Sequence, residues 1–529
     1  MADGTPRRMG LVLSASAAGT VFEWYDFFIF GSLLSIISRH FFAGAGETQG
    51  YVFALLTFAV GFAVRPFGGL VFGYFGDRAG RKRAFLFTIT IMGLATFAIG
   101  VLPDTGAIGA LAPYLLIGLR VLQGFAVGGE YGGAVIYVAE HADAKKRGAA
   151  TGWIQVAATV GLFLALSIIL IVRSVLGEDA FAAWGWRVPF LISLGLLGIS
   201  IWIRLKLDES PVFRALQAAG TTSRAPLSEA FLRWTNLRRV LVVLAALLMG
   251  QGVVWYTAQF YTQFFLERVT KVEPRMVNIL ILSATVASAG LHIFFARLSD
   301  RVGRKPIMLF GLGLAAVTLV PGFQWLTEAV NPGLSQAIAR APVSVLAAPA
   351  ECSFQFDPVG HAKFSSSCDI AKGTLATLGV PYRNEAVPPG ELARIRIGTT
   401  TLSSIDGTIL APSALAVART NFTAEVSKAL GAAGYPAAAD TARIDVPLAL
   451  LLLLVFVTAA AALYGPQAAT LVELFPTRIR YSALSLPYHL GWAGSAASCR
   501  RSPSPSWRRP AISMPGCGIR SASRPSASW

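Results

Sequence analysis

The stretch Gly73-Tyr-Phe-Gly-Asp77-Arg78-Ala-Gly80-Arg81-Lys82 returns as Ala296-Arg-Leu-Ser-Asp300-Arg301-Val-Gly303-Arg304-Lys305, 223 residues later. Each copy is a short polar loop between two apolar runs of near-membrane length. Crossing a hydrocarbon core of about 30 Å takes about 20 residues of helix. Such runs lie at 12–37, 51–75, 84–103, 112–139, 150–172, 188–204, 239–265, 277–296, 307–326 and 447–472. A second pair of loops, Glu140 to Arg147 and Glu473 to Arg480, matches at an offset of 333, as do Tyr131-Gly132 and Tyr464-Gly465. The chain therefore reads as two homologous halves, with 333 − 223 = 110 residues added to the second between Lys305 and Tyr464.

Composition agrees with an integral membrane protein. Of 529 residues, 54% are hydrophobic and only 14% charged, and the mean hydropathy is +0.59. The first run lacks a small-residue cleavage site, so it reads as a span rather than a signal peptide. A net charge of +17 raises the question of nucleic acid, but the charge is arranged otherwise. Basic clusters fill alternate loops: 78–83, 145–147, 204–239, 301–305 and 478–480. That bias is the positive-inside pattern, and it predicts a bacterial inner-membrane, multi-pass protein with a cytoplasmic N-terminus and the lipid bilayer, not nucleic acid, as its surroundings.

The doubled Asp-Arg-x-Gly-Arg-Lys loop in matching register resembles the major facilitator superfamily. Within it, the chain is similar to the metabolite:proton symporters that include α-ketoglutarate, citrate, shikimate and proline/betaine permeases. The shared segments are Gly19-Thr-Val-Phe-Glu23-Trp-Tyr-Asp26, Arg65-Pro66-Phe-Gly-Gly, Gly128-Gly-Glu130-Tyr-Gly-Gly, Glu473-Leu-Phe-Pro-Thr-Arg478-Ile-Arg480 and Ser485-Leu-Pro487-Tyr-His489. The resemblance implies an all-α fold of two six-helix halves. It also implies alternating access, proton-coupled symport of a small organic anion or zwitterion, no cofactor, no enzyme activity and a monomer. Efflux by proton antiport on the same fold is the alternative.

Ionisable residues inside a span are costly and mark pathways or buried pairs. Glu23 and Asp26 are three apart and share a helical face. Arg120 lies deep in the fourth run. In related facilitators an acid in span one and an Arg in span four couple protons and hold substrate. Asp26, Glu23 and Arg120 are therefore the proton-coupling candidates, with Asp26 facing Arg120; a static ion pair is the alternative. Arg65 either joins Arg120 on substrate or bonds carbonyls freed by Pro66. Gln251, Trp255 and Gln259, at i, i+4 and i+8, with Tyr256, form a candidate substrate stripe; interhelical hydrogen bonding is the alternative. Gly124, Gly128 and Gly132, four apart, read as a close-packing ridge. The gating candidates are Asp77, Arg78, Gly80, Arg81, Lys82, Asp300, Arg301, Gly303, Arg304, Lys305, Glu130, Glu140, Arg147, Glu473 and Arg478. Neither a Walker loop nor paired metal-ligating histidines are present, and no metal site is expected.

The expected organisation is a six-helix half over 1–205, a cytoplasmic linker over 206–238, and a second half at 239–327 and 447–492, interrupted at 328–446. That segment, which lacks a membrane-length run, comes after the ninth span. It reads as a small α/β-type extracytoplasmic insertion in which Cys352 and Cys368 can form a disulfide. Asn421 is its candidate helix cap, and Gly434 with Pro436 its stop. Residues 493–529 hold six Arg, ten Ser, five Pro and no acid. The eleventh span begins at Tyr481 and breaks off near Trp492. The remainder reads as out-of-frame translation of GC-rich DNA, which leaves the last one to two helices missing or corrupted and makes an inactive product a further alternative. A genuine basic tail is the other reading of that segment.

Overall fold

The computed structural model describes residues 5–42, 47–353 and 364–498. The segment beyond Ser498, with Cys499 and Cys517, lies outside the described residues. Among the described residues, eleven long helices outside the inserted domain run in order. They are α1 (Thr5–Ser32), α2 (Glu47–Arg78), α3 (Arg81–Val101), α4 (Leu111–His141), α5 (Arg147–Leu176), α6 (Arg187–Leu205), α7 (Trp234–Val269), α8 (Pro274–Val302), α9 (Arg304–Val330), α10 (Val446–Leu474) and α11 (Arg480–Ser498). Among the described residues, nine helices are long and apolar enough to span a bilayer, and the bent first pair makes ten.

Two features escape hydropathy. The first span is broken: after Ser32 the chain turns by 63° into Leu34–Phe41. The eleventh helix does not stop near Trp492 but runs on to Ser498. Helices also overrun their apolar runs, because a helix end continues bonding through polar residues until a turn stops it. Gly80 and Gly303 supply those turns after α2 and α8, at φ +114° and +101°, where a Cβ is strained.

By contacts the chain divides into two compact units. The first comprises residues 1–252, 286–312 and 458–495; the second comprises 253–285 and 313–457. This division cuts through α7, α8, α9 and α10 rather than tracking the sequence halves. The reason is local: the loop ends of the second-half helices are bonded to α2, α4 and α5 in the first unit.

Within the first unit, α2 and α4 touch backbone to backbone. A Cβ at Gly124 would lie 2.1 Å from the Gly61 carbonyl, and one at Gly128 2.2 Å from that of Arg65. Gly132, the third of the ridge, faces α11 instead, with Ser485 Oγ 2.5 Å from its notional Cβ.

The second unit carries the inserted domain. Strands β1 (Val343–Ala347), β2 (Arg383–Ala386), β3 (Arg394–Ile397) and β4 (Thr400–Ser403) form a sheet in the order β2-β1-β3-β4. β1 and β2 are parallel, joined by the crossover helix Ser367–Thr377; the other pairs are antiparallel. Val345, Ile395 and Ile397 meet Ile370, Leu375, Phe422 and Val426 in its core, and Cys352 is disulfide-bonded to Cys368. Asn421 caps nothing. It lies inside the helix Pro412–Ala432, which starts on a proline whose missing N–H costs nothing there. Gly434, at φ +84°, comes after that helix, and Tyr435 N donates back to Leu430 O, the pattern of a Schellman stop. The domain rests on the α7–α8 loop through Asn331 Nδ2 to Thr270 O (3.0 Å) and Ala439 N to Lys271 O (3.0 Å).

Candidate functional site

The site grows from α1, α2, α3 and α4. The α2–α4 glycine contact draws Arg65 and Arg120 toward the face of α1 that carries Glu23 and Asp26. The four side chains line one cavity of about 20 Å³ together with Gln123, Phe27 and Met92. That is room for a water and not for a metabolite. Glu23, Asp26 and Arg120 are buried and Arg65 is half-buried, and aromatic rings take part of the solvent's place. The Arg120 guanidinium lies 4.0 Å from the Phe30 centroid and 5.4 Å from that of Phe58; Arg65 lies 4.1 Å from Phe62.

Asp26 and Arg120 do not form the direct pair expected from spacing. They are joined by a relay. Arg120 Nη1 donates to Gln123 Oε1 (2.8 Å), Gln123 Nε2 donates to Thr96 Oγ1 (2.6 Å), and Thr96 Oγ1 donates to Asp26 Oδ2. The other carboxylate oxygen, Asp26 Oδ1, is buried without a hydrogen-bond partner among the described residues, as is Glu23 Oε2. Sequence alone does not single out two residues of this relay, Gln123 and Thr96. Gln123 sits three residues from Arg120, a spacing that brings their side chains together; Thr96 carries no signal in the sequence.

Toward the loop end of α4, Glu130 pairs with Arg204 at 3.2 Å, both fully buried. Gly19 makes room for the pair: a Cβ there would fall 1.6 Å from Arg204 Nη2. Arg204 is also unanticipated, because as the last basic residue of α6 it reads as an ordinary interfacial charge.

The doubled loops are used symmetrically. Asp77 Oδ1 and Oδ2 accept from Tyr481 N (3.1 Å) and Ser482 N (2.8 Å) at the start of α11. Asp300 Oδ1 and Oδ2 accept from Gly148 N and Ala149 N, both 2.8 Å, at the start of α5. Each aspartate thus caps a helix of the opposite sequence half, where unpaired N–H groups favour negative charge. Each also holds the arginine four residues on, Arg81 at 2.7 Å and Arg304 at 2.6 Å. One further pair crosses the halves, Glu140 with Arg480 at 2.8 Å, and Arg304 also pairs within the second half with Glu473 at 3.0 Å.

Other gating candidates are placed less centrally. Arg147 Nε donates to Ala139 O, Lys82 Nζ to Leu205 O and Arg78 to the Tyr74 hydroxyl. Arg478 pairs with Glu229, and Arg301 and Lys305 are exposed. Above the caps, Tyr131 stacks on Tyr488 with centroids 3.9 Å apart, and His489 Nε2 lies 2.8 Å from Gly128 O.

The proposed stripe on α7 is not a straight one. π-helical turns at Val243–Met249, Thr257–Tyr261 and Phe265–Val269 interrupt the helix, and each wide turn rotates the residues beyond it off the i, i+4 line. Gln251 is buried and donates to Gln467 Oε1 (2.7 Å) in the first unit. In the second unit Gln259 accepts from Thr285 (3.3 Å), and Trp255 packs edge-on against Tyr256 and Phe260.

The shikimate transporter of Escherichia coli is 35% identical to this chain over 314 residues, which are 59% of the chain and 71% of that protein. The chain belongs to the major facilitator superfamily. The family description "Sugar (and other) transporter" matches residues 11–229 of this facilitator, and "MFS/sugar transport protein" matches 133–339. The proline/betaine transporter of E. coli is 33% identical over 333 residues, 61% of this chain and 65% of the relative. The facilitator thus spans about two thirds of the length of these relatives. Among solved structures, the proton:xylose symporter XylE matches with a TM-score of 0.57 at 14% identity, over 93% of this chain and 87% of that one, a likeness of fold. The facilitator is a multi-pass membrane protein of a transporter family.

Proposed function

We propose that this facilitator carries a small organic carboxylate or zwitterion together with a proton across the bacterial inner membrane by alternating access, with its N-terminus in the cytoplasm. The observation that carries the reading is the buried relay from Arg120 through Gln123 and Thr96 to Asp26. Ionisable groups at this depth are expensive to maintain without a use. A guanidinium is suited to a substrate carboxylate, which it meets bidentately. Asp26 Oδ1, which accepts no hydrogen bond among the described residues, takes a proton without displacing the Thr96 bond to Oδ2. When Arg120 turns to a substrate it withdraws its donor from Gln123, and the change passes by hydrogen bonds to the proton carrier.

Two guanidinium and two carboxylate groups around one cavity suit a zwitterion as well as an anion. The relatives named for shikimate, proline and betaine transport fall in these two classes. The basic loops support the assigned orientation. Asp77 and Asp300, capping across the halves, act as the latch of the state closed at the loop end.

The test is uptake into proteoliposomes under an imposed acid-outside gradient, with labelled shikimate, proline and glycine betaine offered in turn. Accumulation of at least one above equilibrium, collapsed by a protonophore, is the expected result. Entry of all three only to equilibrium, whatever the gradient, would rule out proton coupling, and export driven by the same gradient would mark the carrier as an antiporter.

A further inference from the structure

The linker between α6 and α7 folds into a site that neither the relay nor the latch uses. A cavity of about 490 Å³ opens between residues 221–233 and the α10–α11 loop, lined by Arg224, Arg233 and Arg478, by hydroxyl-bearing Thr222 and Ser228, and by Glu229. Three guanidinium groups face one carboxylate there. Glu229 is shared by Arg478, in direct contact, and Arg233, at 3.8 Å, which leaves a net charge of +2 if all four are ionised. Arg224 has no hydrogen bond or ion pair among the described residues. Beside the cavity, Leu232 and Trp234 are 81% and 69% exposed. They stand where the chain enters α7, a helix long and apolar enough to cross a membrane, and so at the level of the membrane interface in the proposed orientation. Trp is favoured at that level because its ring is apolar and its N–H polar.

We propose that this cavity binds a phosphate-bearing anion, and that the occupant is the headgroup of an anionic phospholipid whose chains lie along Leu232 and Trp234. Converging guanidinium groups and hydroxyls match the oxygens of a phosphodiester, which Arg engages bidentately. The exposed apolar pair beside it distinguishes a lipid from free phosphate, which gains nothing from Leu232 or Trp234. The assignment of the lipid leaflet rests on the orientation proposed above; anion binding itself does not. Because Arg478 comes from the loop that precedes α11, a bound headgroup ties the linker to the α10–α11 loop and so favours the closed end.

Native mass spectrometry of the detergent-purified full chain tests this independently of transport. Phosphatidylglycerol, phosphatidylcholine with the same acyl chains, and inorganic phosphate are titrated onto wild type, the double variant Arg224→Gln/Arg233→Gln, and Arg214→Gln, which changes a linker arginine outside the cavity. Phosphatidylglycerol is expected to bind wild type and Arg214→Gln alike, and the double variant roughly tenfold or more weakly, since each basic residue near anionic lipid contributes on the order of 1 kcal/mol. Equal binding of phosphatidylglycerol to all three proteins overturns the site, as does equal binding of the two lipids to wild type. Arginine-dependent binding of inorganic phosphate without any preference for phosphatidylglycerol upholds the anion site and overturns the lipid as its occupant. Charge-preserving Arg224→Lys/Arg233→Lys, expected to retain most of the binding, separates loss of charge from loss of fold.

Discussion

In the proposed mechanism, Asp26 is the residue on which coupling turns. One coupled proton lets a gradient of about one pH unit support about tenfold accumulation of substrate, since 1.36 kcal/mol is a factor of ten. Asp26→Asn keeps a side chain of nearly the same shape and can still accept from Thr96, but it cannot carry a proton. It is expected to reduce accumulation in proteoliposomes to equilibrium while exchange of internal for external substrate persists; full accumulation in this variant sinks the assignment. Thr96→Val probes the relay without touching any charge. It removes the donor to Asp26 Oδ2 and the acceptor for Gln123 Nε2, leaving buried polar groups unpaired at a cost of about 1–3 kcal/mol each. The expected outcome is a lower proton-to-substrate ratio, measured by simultaneous pH-electrode and tracer uptake, with substrate exchange less affected. An unchanged ratio would make Thr96 a packing residue. Asp26, Glu23, Arg65 and Arg120 are all legible in the sequence, because a charge within an apolar run stands out. Thr96 does not, because a threonine in a span commonly bonds its own helix, and Thr96 Oγ1 also lies 2.9 Å from Met92 O. Only the meeting of α1, α3 and α4 reveals its second use.

The α2–α4 contact shows how helices place those charges. A Cβ at Gly128 would meet the carbonyl of Arg65 at 2.2 Å and the Gly69 amide at 2.7 Å, both backbone atoms that cannot swing aside. Gly128→Ala must push the helices apart and shift Arg65 relative to Arg120, at an overpacking cost of about 1–3 kcal/mol. Gly118, on the same helix, has nothing within 4 Å of its notional Cβ; Gly118→Ala is expected to be neutral or stabilising by up to about 1 kcal/mol. Thermal-stability profiles read by size-exclusion chromatography should separate the two, with Gly128→Ala alone melting lower and losing uptake. Equal melting would show that α2 and α4 are not in the contact described. The four-residue glycine period is readable in the sequence, but the partner of each glycine is not, and Gly132 serves α11 rather than α2. The π-turns of α7 and the bend after Ser32 are illegible for a related reason: both leave the apolar pattern intact while altering the direction of the helix.

The repeated loop that makes the two halves visible in the sequence is also what joins them. Asp77 caps α11 and Asp300 caps α5, each from the opposite sequence half and each with two backbone N–H bonds. In the proposed mechanism these caps are two equivalent latches of the closed end, and the arrangement predicts how they fail. Replacing a capping aspartate weakens a charge-assisted bond pair at a helix N-terminus, worth about 1–2 kcal/mol. The two latches share no residue, so their losses should add. Asp77→Asn/Asp300→Asn should therefore destabilise the closed end by about 3 kcal/mol, a shift of roughly a hundredfold in population. The shift is measurable at Ser485, whose hydroxyl is buried against Gly132. A cysteine at that position should resist a membrane-impermeant maleimide in the otherwise unaltered protein, react partly in each single variant, and react fastest in the double variant when reagent is supplied from the loop side. Labelling as slow in the double variant as in its parent would mean that the crossed pair Glu140–Arg480 holds the end without the caps, and the latch would have to be reassigned to it.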